Sequence, residues 1–103
     1  MSEQQNLAFS RLLELSDLML DRAANGLWDA VFELQDKRDR LIHEFFEEPL
    51  FLEAQTARDG IQYMLDSDAK LAKLASTEKK LLQKQMVDLK QNQQAARAYN
   101  AAR

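Results

Sequence analysis

From Phe9 onward the apolar positions of this chain recur every three to four residues, the period of amphipathic helices. At about 100° per residue, Phe9, Leu12, Leu13, Ser16, Met19, Leu20 and Ala23 share one face. This predicts a first helix from about Gln4 to Ala24, with Leu7 and Leu18 on its other side. A second helix is predicted from about Leu27 to Phe46. It carries one stripe of Trp28, Val31, Phe32, Ile42 and Phe46, and a second stripe of Leu27, Leu34, Leu41 and Phe45 beside it. Together the two stripes cover about half the circumference, more than the ~100° that a surface helix needs. The second helix is therefore expected to have something on two sides: two neighbouring helices, or one neighbour and another chain.

A third helix is predicted from Pro49 or Leu50 to about Ala96. At about 1.5 Å per residue it reaches roughly 65 Å. Its main stripe is Ile61, Met64, Leu65, Leu71, Ala72, Ala75, Leu82, Met86 and Leu89. A thinner stripe of Tyr63, Leu74 and Leu81 lies roughly 100–120° away. Past Leu89 the chain turns to Lys90-Gln91-Asn92-Gln93-Gln94 and an alanine-rich tail. That end has helical propensity but little to bury, so fraying is expected.

Two stretches punctuate the pattern. Around Ala23-Ala24-Asn25-Gly26-Leu27-Trp28-Asp29 one helix ends and the next begins within about three residues. Gly26, without a Cβ, can take the left-handed conformation that closes a helix. Asp29 falls in the first turn of the next helix, where a carboxylate meets free N–H groups and the positive dipole end. Trp28, the only tryptophan, brings the apolar area that locks a corner, and its indole N–H is expected to reach water or a carbonyl. Gly26, Trp28 and Asp29 are thus the predicted structural corner. Glu47-Glu48-Pro49 is the second boundary, because proline disfavours helix in the residue before it. Gly60 marks a candidate break near the start of the third helix.

With two Gly and one Pro in 103 residues, little room is left for the turns a sheet requires. The fold class is all-α: an antiparallel bundle of three main helices in one domain spanning residues 1–103. Residues 1–68 hold 6 Lys/Arg against 15 Asp/Glu, whereas residues 69–103 hold 8 against 2. The halves attract, which predicts that the basic half folds back along the acidic helices. Tyr99 is the only aromatic of the basic half, too few for the stacking a nucleic-acid surface uses.

Chemistry finds little to work with. Cysteine is absent, which excludes disulfides, thiolate metal sites and a cysteine nucleophile. Ser10, Ser16, Ser67 and Ser76 lie within helices and His43 is the sole histidine, so no Ser-His-Asp arrangement is suggested. Gly26 and Gly60 are isolated, so there is no phosphate-cradling loop. Asp39, His43 and Glu47 form an i, i+4, i+8 row, the one candidate for a carboxylate metal site. Pairing of surface charges explains that row equally well, and no metal or cofactor is expected. The N-terminus carries neither a secretory signal nor a membrane span. Heptad-like spacing at Ile61, Asp68, Ala75, Leu82, Leu89 and Ala96 raises a coiled-coil reading. Glu78, Gln85 and Asn92 at the other core position argue instead for packing against the first two helices.

The segment Ala23-x-x-Gly26-x-Trp28-Asp29, followed by Leu34, Arg38, Leu41 and Phe45, resembles the FliT family of flagellar type III export chaperones. The resemblance extends to the order of elements and to an Ala-Tyr near the end, Ala98-Tyr99. It implies a cytoplasmic, non-enzymatic helical chaperone that binds the flagellar filament-cap protein before export. It also implies docking to the export ATPase complex and, in some members, binding to a flagellar transcription activator. Family members often carry a fourth helix after the Ala-Tyr that folds over the partner groove. Four residues follow Tyr99 in this sequence, so a short or truncated fourth helix is expected.

A chaperone of this kind lends an apolar face to an amphipathic helix that would otherwise aggregate. The over-wide apolar half of the second helix and the thinner stripe of the third are where such a groove is expected. The partner-binding residues are then Leu34, Leu41 and Phe45 with Tyr63, Leu74 and Leu81. Against this stand a helical homodimer or adaptor without chaperone activity, in which the same residues fill a core or dimer interface, and the metal-binding bundle.

Overall fold

The computed structural model describes residues 2–47 and 52–101. Its elements are α1 (Ser2–Ala24), α2 (Trp28–Glu47) and α3 (Ala54–Ala101). Pro49 and Leu50, the expected start of the third helix, lie outside the described residues. Leu52 is in a bend, and the carbonyl of Glu53 accepts the Ala57 N–H at 3.0 Å, so Glu53 opens α3.

The α1–α2 corner closes as a Schellman motif. Leu27 N–H donates to the Arg22 carbonyl at 2.9 Å and Gly26 N–H to the Ala23 carbonyl at 3.0 Å. Gly26 stands at φ +73°, the only positive φ among the described residues. The Leu27 carbonyl then accepts Val31 N–H at 3.1 Å, so one residue ends α1 and opens α2. Trp28 packs beside Met19, Ala23 and Val31. Its indole Nε1 is buried and has no carbonyl acceptor among the described residues.

α1 is the central helix, with α2 on one side and α3 on the other, and the backbones of α2 and α3 do not approach each other. Phe9 stacks on Phe45 with centroids 5.7 Å apart, while Val31 packs with Met19 and Ala23, so α1 and α2 are antiparallel. Phe9 also meets Gly60, and Met19 and Ala23 meet Leu71 and Leu74, so α3 runs parallel to α1. The side chains collect in two apolar clusters. One holds Phe9, Leu12, Phe45 and Met64; the other, nearer the corner, holds Met19, Ala23 and Val31.

Gly60 does not break α3, which is helical without interruption across it. Its role is close approach. A Cβ there would sit 2.2 Å from Cε2 and Cζ of Phe9, whose ring occupies the space that any side chain would need.

The expected folding back of the basic half does not occur. No residue after Gly60 interrupts the helix, so α3 continues straight past the corner at Gly26. From Lys79 to Ala101 every residue is exposed, an arm about 35 Å long at 1.5 Å per residue. The molecule accordingly measures 78 × 20 × 19 Å, and its radius of gyration is 21.4 Å. A compact chain of this size has a radius of gyration of about 13 Å. The chain is all-helical among the described residues, with three helices and no fourth, since residues up to Ala101 belong to α3. Three helices lie side by side only up to the corner.

Candidate functional site

Between the two apolar clusters lies a buried polar layer. The Arg38 guanidinium, 7% exposed, donates to Asp68 through Nη1 at 2.7 Å and Nη2 at 3.2 Å, a fork-on-fork pair. Nη1 also donates to Ser16 Oγ at 3.1 Å, and Ser16 donates to the Leu12 carbonyl at 3.2 Å. Arg38 therefore reaches from α2 past α1 to α3, a polar link between two helices whose backbones stay apart. Sequence reading counted Arg38 only as part of a family pattern. A signal was present: Val31, Arg38 and Phe45 follow one another at seven-residue steps, and all three are buried.

A second polar contact ties α3 to α1. Tyr63 O–H donates to the Asp17 carboxylate. The hydrogen bond to Asp17, then desolvation, then the nearby negative charge all hold the phenol above its ordinary pKa of 10.0.

The six residues expected to bind a partner separate into two groups. Phe45 is buried in the Phe9 cluster, and Leu41 packs against the same cluster. Leu34 and Leu74 are half-buried against the Met19–Val31 cluster. Tyr63 and Leu81, 45% and 50% exposed, face solvent. On α2 each predicted stripe divides: Leu27 (52% exposed), Phe32 (58%) and Phe46 (48%) face outward, while Val31, from the stripe of Phe32 and Phe46, is buried. On α3 the exposed apolar side chains are Ile61 and Leu65 beside the packed face, then Leu81, Leu82, Met86, Val87 and Leu89 along the arm. Leu15, absent from the predicted face of α1, is fully buried.

The Asp39–His43–Glu47 row forms an open surface strip. His43 Nε2 lies 3.6 Å from Glu47 Oε1, with both side chains exposed. Among the described residues no group of three or more His, Asp or Glu is placed to hold a metal ion. What the geometry offers is an extended apolar helix surface, charged at its borders, on a chain whose three helices share one short core.

The chain matches the profile described as flagellar protein FliT over residues 8–101, and it belongs to that family. No curated protein and no solved structure matches it. No helix among the described residues is long and apolar enough to cross a membrane.

Proposed function

We propose that this protein is a flagellar export chaperone that binds the helical end of the filament-cap protein in the cytoplasm. It covers that end until the cap protein is handed to the export apparatus, through docking to the export ATPase complex. Contact with a flagellar transcription activator is a further activity of the same kind. The observation that carries the reading is the arm of α3, where Leu81, Leu82, Met86, Val87 and Leu89 stay exposed well past the last residue packed on α1. Membership in the FliT flagellar family supports the choice of partner.

The chemistry follows from that surface. A helix that assembles through an apolar stripe associates with any similar stripe it meets, and an apolar groove that receives it first removes that option. Leu81 and Tyr63 remain the direct contacts from the expected set, joined by Leu82, Met86 and Leu89. Leu34, Leu41, Phe45 and Leu74 belong to the packed half instead. Nothing in the reading requires a catalytic residue, a metal or a cofactor.

Titration calorimetry of the chain with a C-terminal helical peptide of the filament-cap protein tests it. Leu81→Ser together with Leu82→Ser is expected to lower affinity by at least about tenfold, a loss of roughly 1.4 kcal/mol, without moving the melting temperature. Unchanged affinity in that variant rules the arm out as the binding surface. A structural homodimer or adaptor is the second reading, and the charge pattern of the arm favours pairing between copies.

A further inference from the structure

We infer, on the reading of the α3 arm as the docking surface, that its partner is an amphipathic helix with carboxylates along one flank of its apolar stripe. The charge of the arm points to this chemistry. Between Lys79 and Ala101 stand the cations Lys79, Lys80, Lys84, Lys90 and Arg97, against Asp88 as the one acid. All of them are exposed, and none of these cations is paired with a carboxylate among the described residues. The acids of α1 and α2 do not reach them, because α3 is one uninterrupted helix that leaves both behind at the corner.

The cations are not spread evenly around the helix. At about 100° per residue, Leu81, Leu89, Leu82 and Met86 cover an arc of about 140°. Lys79, Lys90 and Arg97 line the edge of that arc, about 20–40° beyond Met86. The edge beyond Leu81 is mixed, with Asp88 nearest and Lys84 behind it. A helix seated on the arc therefore meets a row of cations on one flank only. Past Leu89 the same arc holds Asn92, Gln93 and Ala96, so Lys90 and Arg97 carry the contact onward. From Lys79 to Arg97 the row runs about 27 Å at 1.5 Å per residue, and carboxylates at steps of 11 and 7 residues fall opposite it. Because the row is one-sided, the flank on which a partner carries its acids also fixes its direction along the arm.

The packed half of α3 shows how this edge receives a neighbour. Asp68 stands 18 residues, five full turns, before Met86 and so at the same helical phase. It accepts hydrogen bonds from both Nη atoms of Arg38, which arrives from α2. There the acid is on α3 and the neighbouring helix supplies the cation. In the arm the cations are on α3, so the neighbouring helix supplies the acid. A helix with the same apolar stripe and a basic flank sets like charges against Lys79, Lys90 and Arg97 and is turned away. A nucleic acid satisfies the cations but leaves Leu82, Met86 and Leu89 without an apolar contact.

Titration calorimetry of the full chain tests the carboxylate flank. The probes are synthetic helical peptides that share one leucine stripe and carry Glu, Gln or Lys along one flank, at the steps of the arm's cations. At about 0.1 M salt the glutamate peptide is expected to bind at least about tenfold more tightly than the glutamine peptide, and the lysine peptide more weakly than either. Lys90→Glu with Arg97→Glu is expected to reverse that order with unchanged helical circular dichroism. Lys80→Glu with Lys84→Glu, an equal change of charge on the far side of the helix, is expected to keep it. Equal binding of the three peptides overturns the proposal, as does a reversal in the Lys80 and Lys84 variant. An oligonucleotide of like charge that binds as tightly as the glutamate peptide overturns it, and so does a dimer of the chain that takes none of the peptides. The C-terminal filament-cap peptide separates this proposal from the chaperone reading. If that peptide binds the arm and the glutamate peptide does not, the carboxylate flank falls and the chaperone reading stands. If only the glutamate peptide binds, the flank stands and the choice of the cap protein falls.

Discussion

α3 presents the same face twice, once with a partner and once without. Leu82 and Leu89 lie 18 residues, five full turns, beyond Met64 and Leu71. Met64 is buried against Phe9, Leu12 and Phe45, and Leu71 packs on the corner cluster. Leu82 and Leu89 sit at the same helical phase and are exposed. The side chains differ little; what differs is that α1 and α2 both turn at Gly26 and α3 does not. A stripe of apolar residues is thus core or docking surface according to what lies beneath it, and the phase of the helix alone does not distinguish them.

Methionine gives the sharpest way to break this comparison, because both regions have one. Met64→Ala is expected to cost about 2–4 kcal/mol, within the range for truncating a large buried side chain. Met86→Ala is expected to stay within about 0.5 kcal/mol, as for an exposed position. Urea melts of the dilute chain measure both, and similar costs would show that the arm is packed in the free molecule.

Next in size is the polar layer that fixes the register of the packed half. Asp68→Ala leaves the buried Arg38 guanidinium without its carboxylate and is expected to cost about 3 kcal/mol. The effect sits at the low end of that range because the Asp68 side chain is 45% exposed, which lets water approach. Adding Arg38→Met to Asp68→Ala is expected to recover most of the loss, since an unpaired buried charge is then replaced by an apolar chain of similar length. A double variant no better than Asp68→Ala would mean that the charge is not the cause.

The two glycines come next, and for opposite reasons. Gly60→Ala is expected to cost about 1–3 kcal/mol, because the new methyl must displace the stacked Phe9 ring. Gly26→Ala has open space around it and is expected to cost about 1 kcal/mol through the left-handed backbone alone. Phe9→Leu is expected to relieve Gly60→Ala and leave Gly26→Ala unchanged, a difference that a double-mutant cycle in urea reads directly.

The smallest effect concerns pH. The Tyr63 phenol is held above its ordinary pKa by Asp17, so its contribution to the docking of α3 is whole at neutral pH. That contribution is lost only as pH rises through the raised folded value, above the unfolded value of 10.0. Alkaline titration of phenolate absorbance is expected to lose its late component in Asp17→Asn. No change in that variant would mean that the Tyr63–Asp17 bond does not form in solution.

These contrasts also mark what could be read from the residues alone. The three helices and the corner were legible because apolar period and turn chemistry are local properties, and Gly26 followed by Trp28 and Asp29 satisfies both. Which residues of α2 face inward was not legible, because both stripes divide. Val31 is buried and Phe32 beside it is exposed, Phe45 is buried and Phe46 is exposed, and only the position of α1 selects among them. Arg38 stands in the sequence only as part of the family pattern, because an apolar pattern counts arginine as surface, although its seven-residue spacing from Val31 and Phe45 places it between two buried residues. Gly60 resembled a hinge in sequence, since a missing side chain reads the same whether the backbone bends or a neighbour fills the gap. The charge division suggested folding back, but attraction between halves cannot bend a helix that lacks a break.

Hydrogen exchange along α3 tests the central claim most directly, measured on the dilute chain with and without the C-terminal filament-cap peptide. In the free chain the amides of residues 57–75 are expected to be protected and those of residues 79–101 to exchange quickly. Saturating peptide is expected to slow the arm strongly and the packed half only slightly. An arm as protected as the packed half in the free monomer, or one whose exchange the peptide leaves unchanged, would contradict the account.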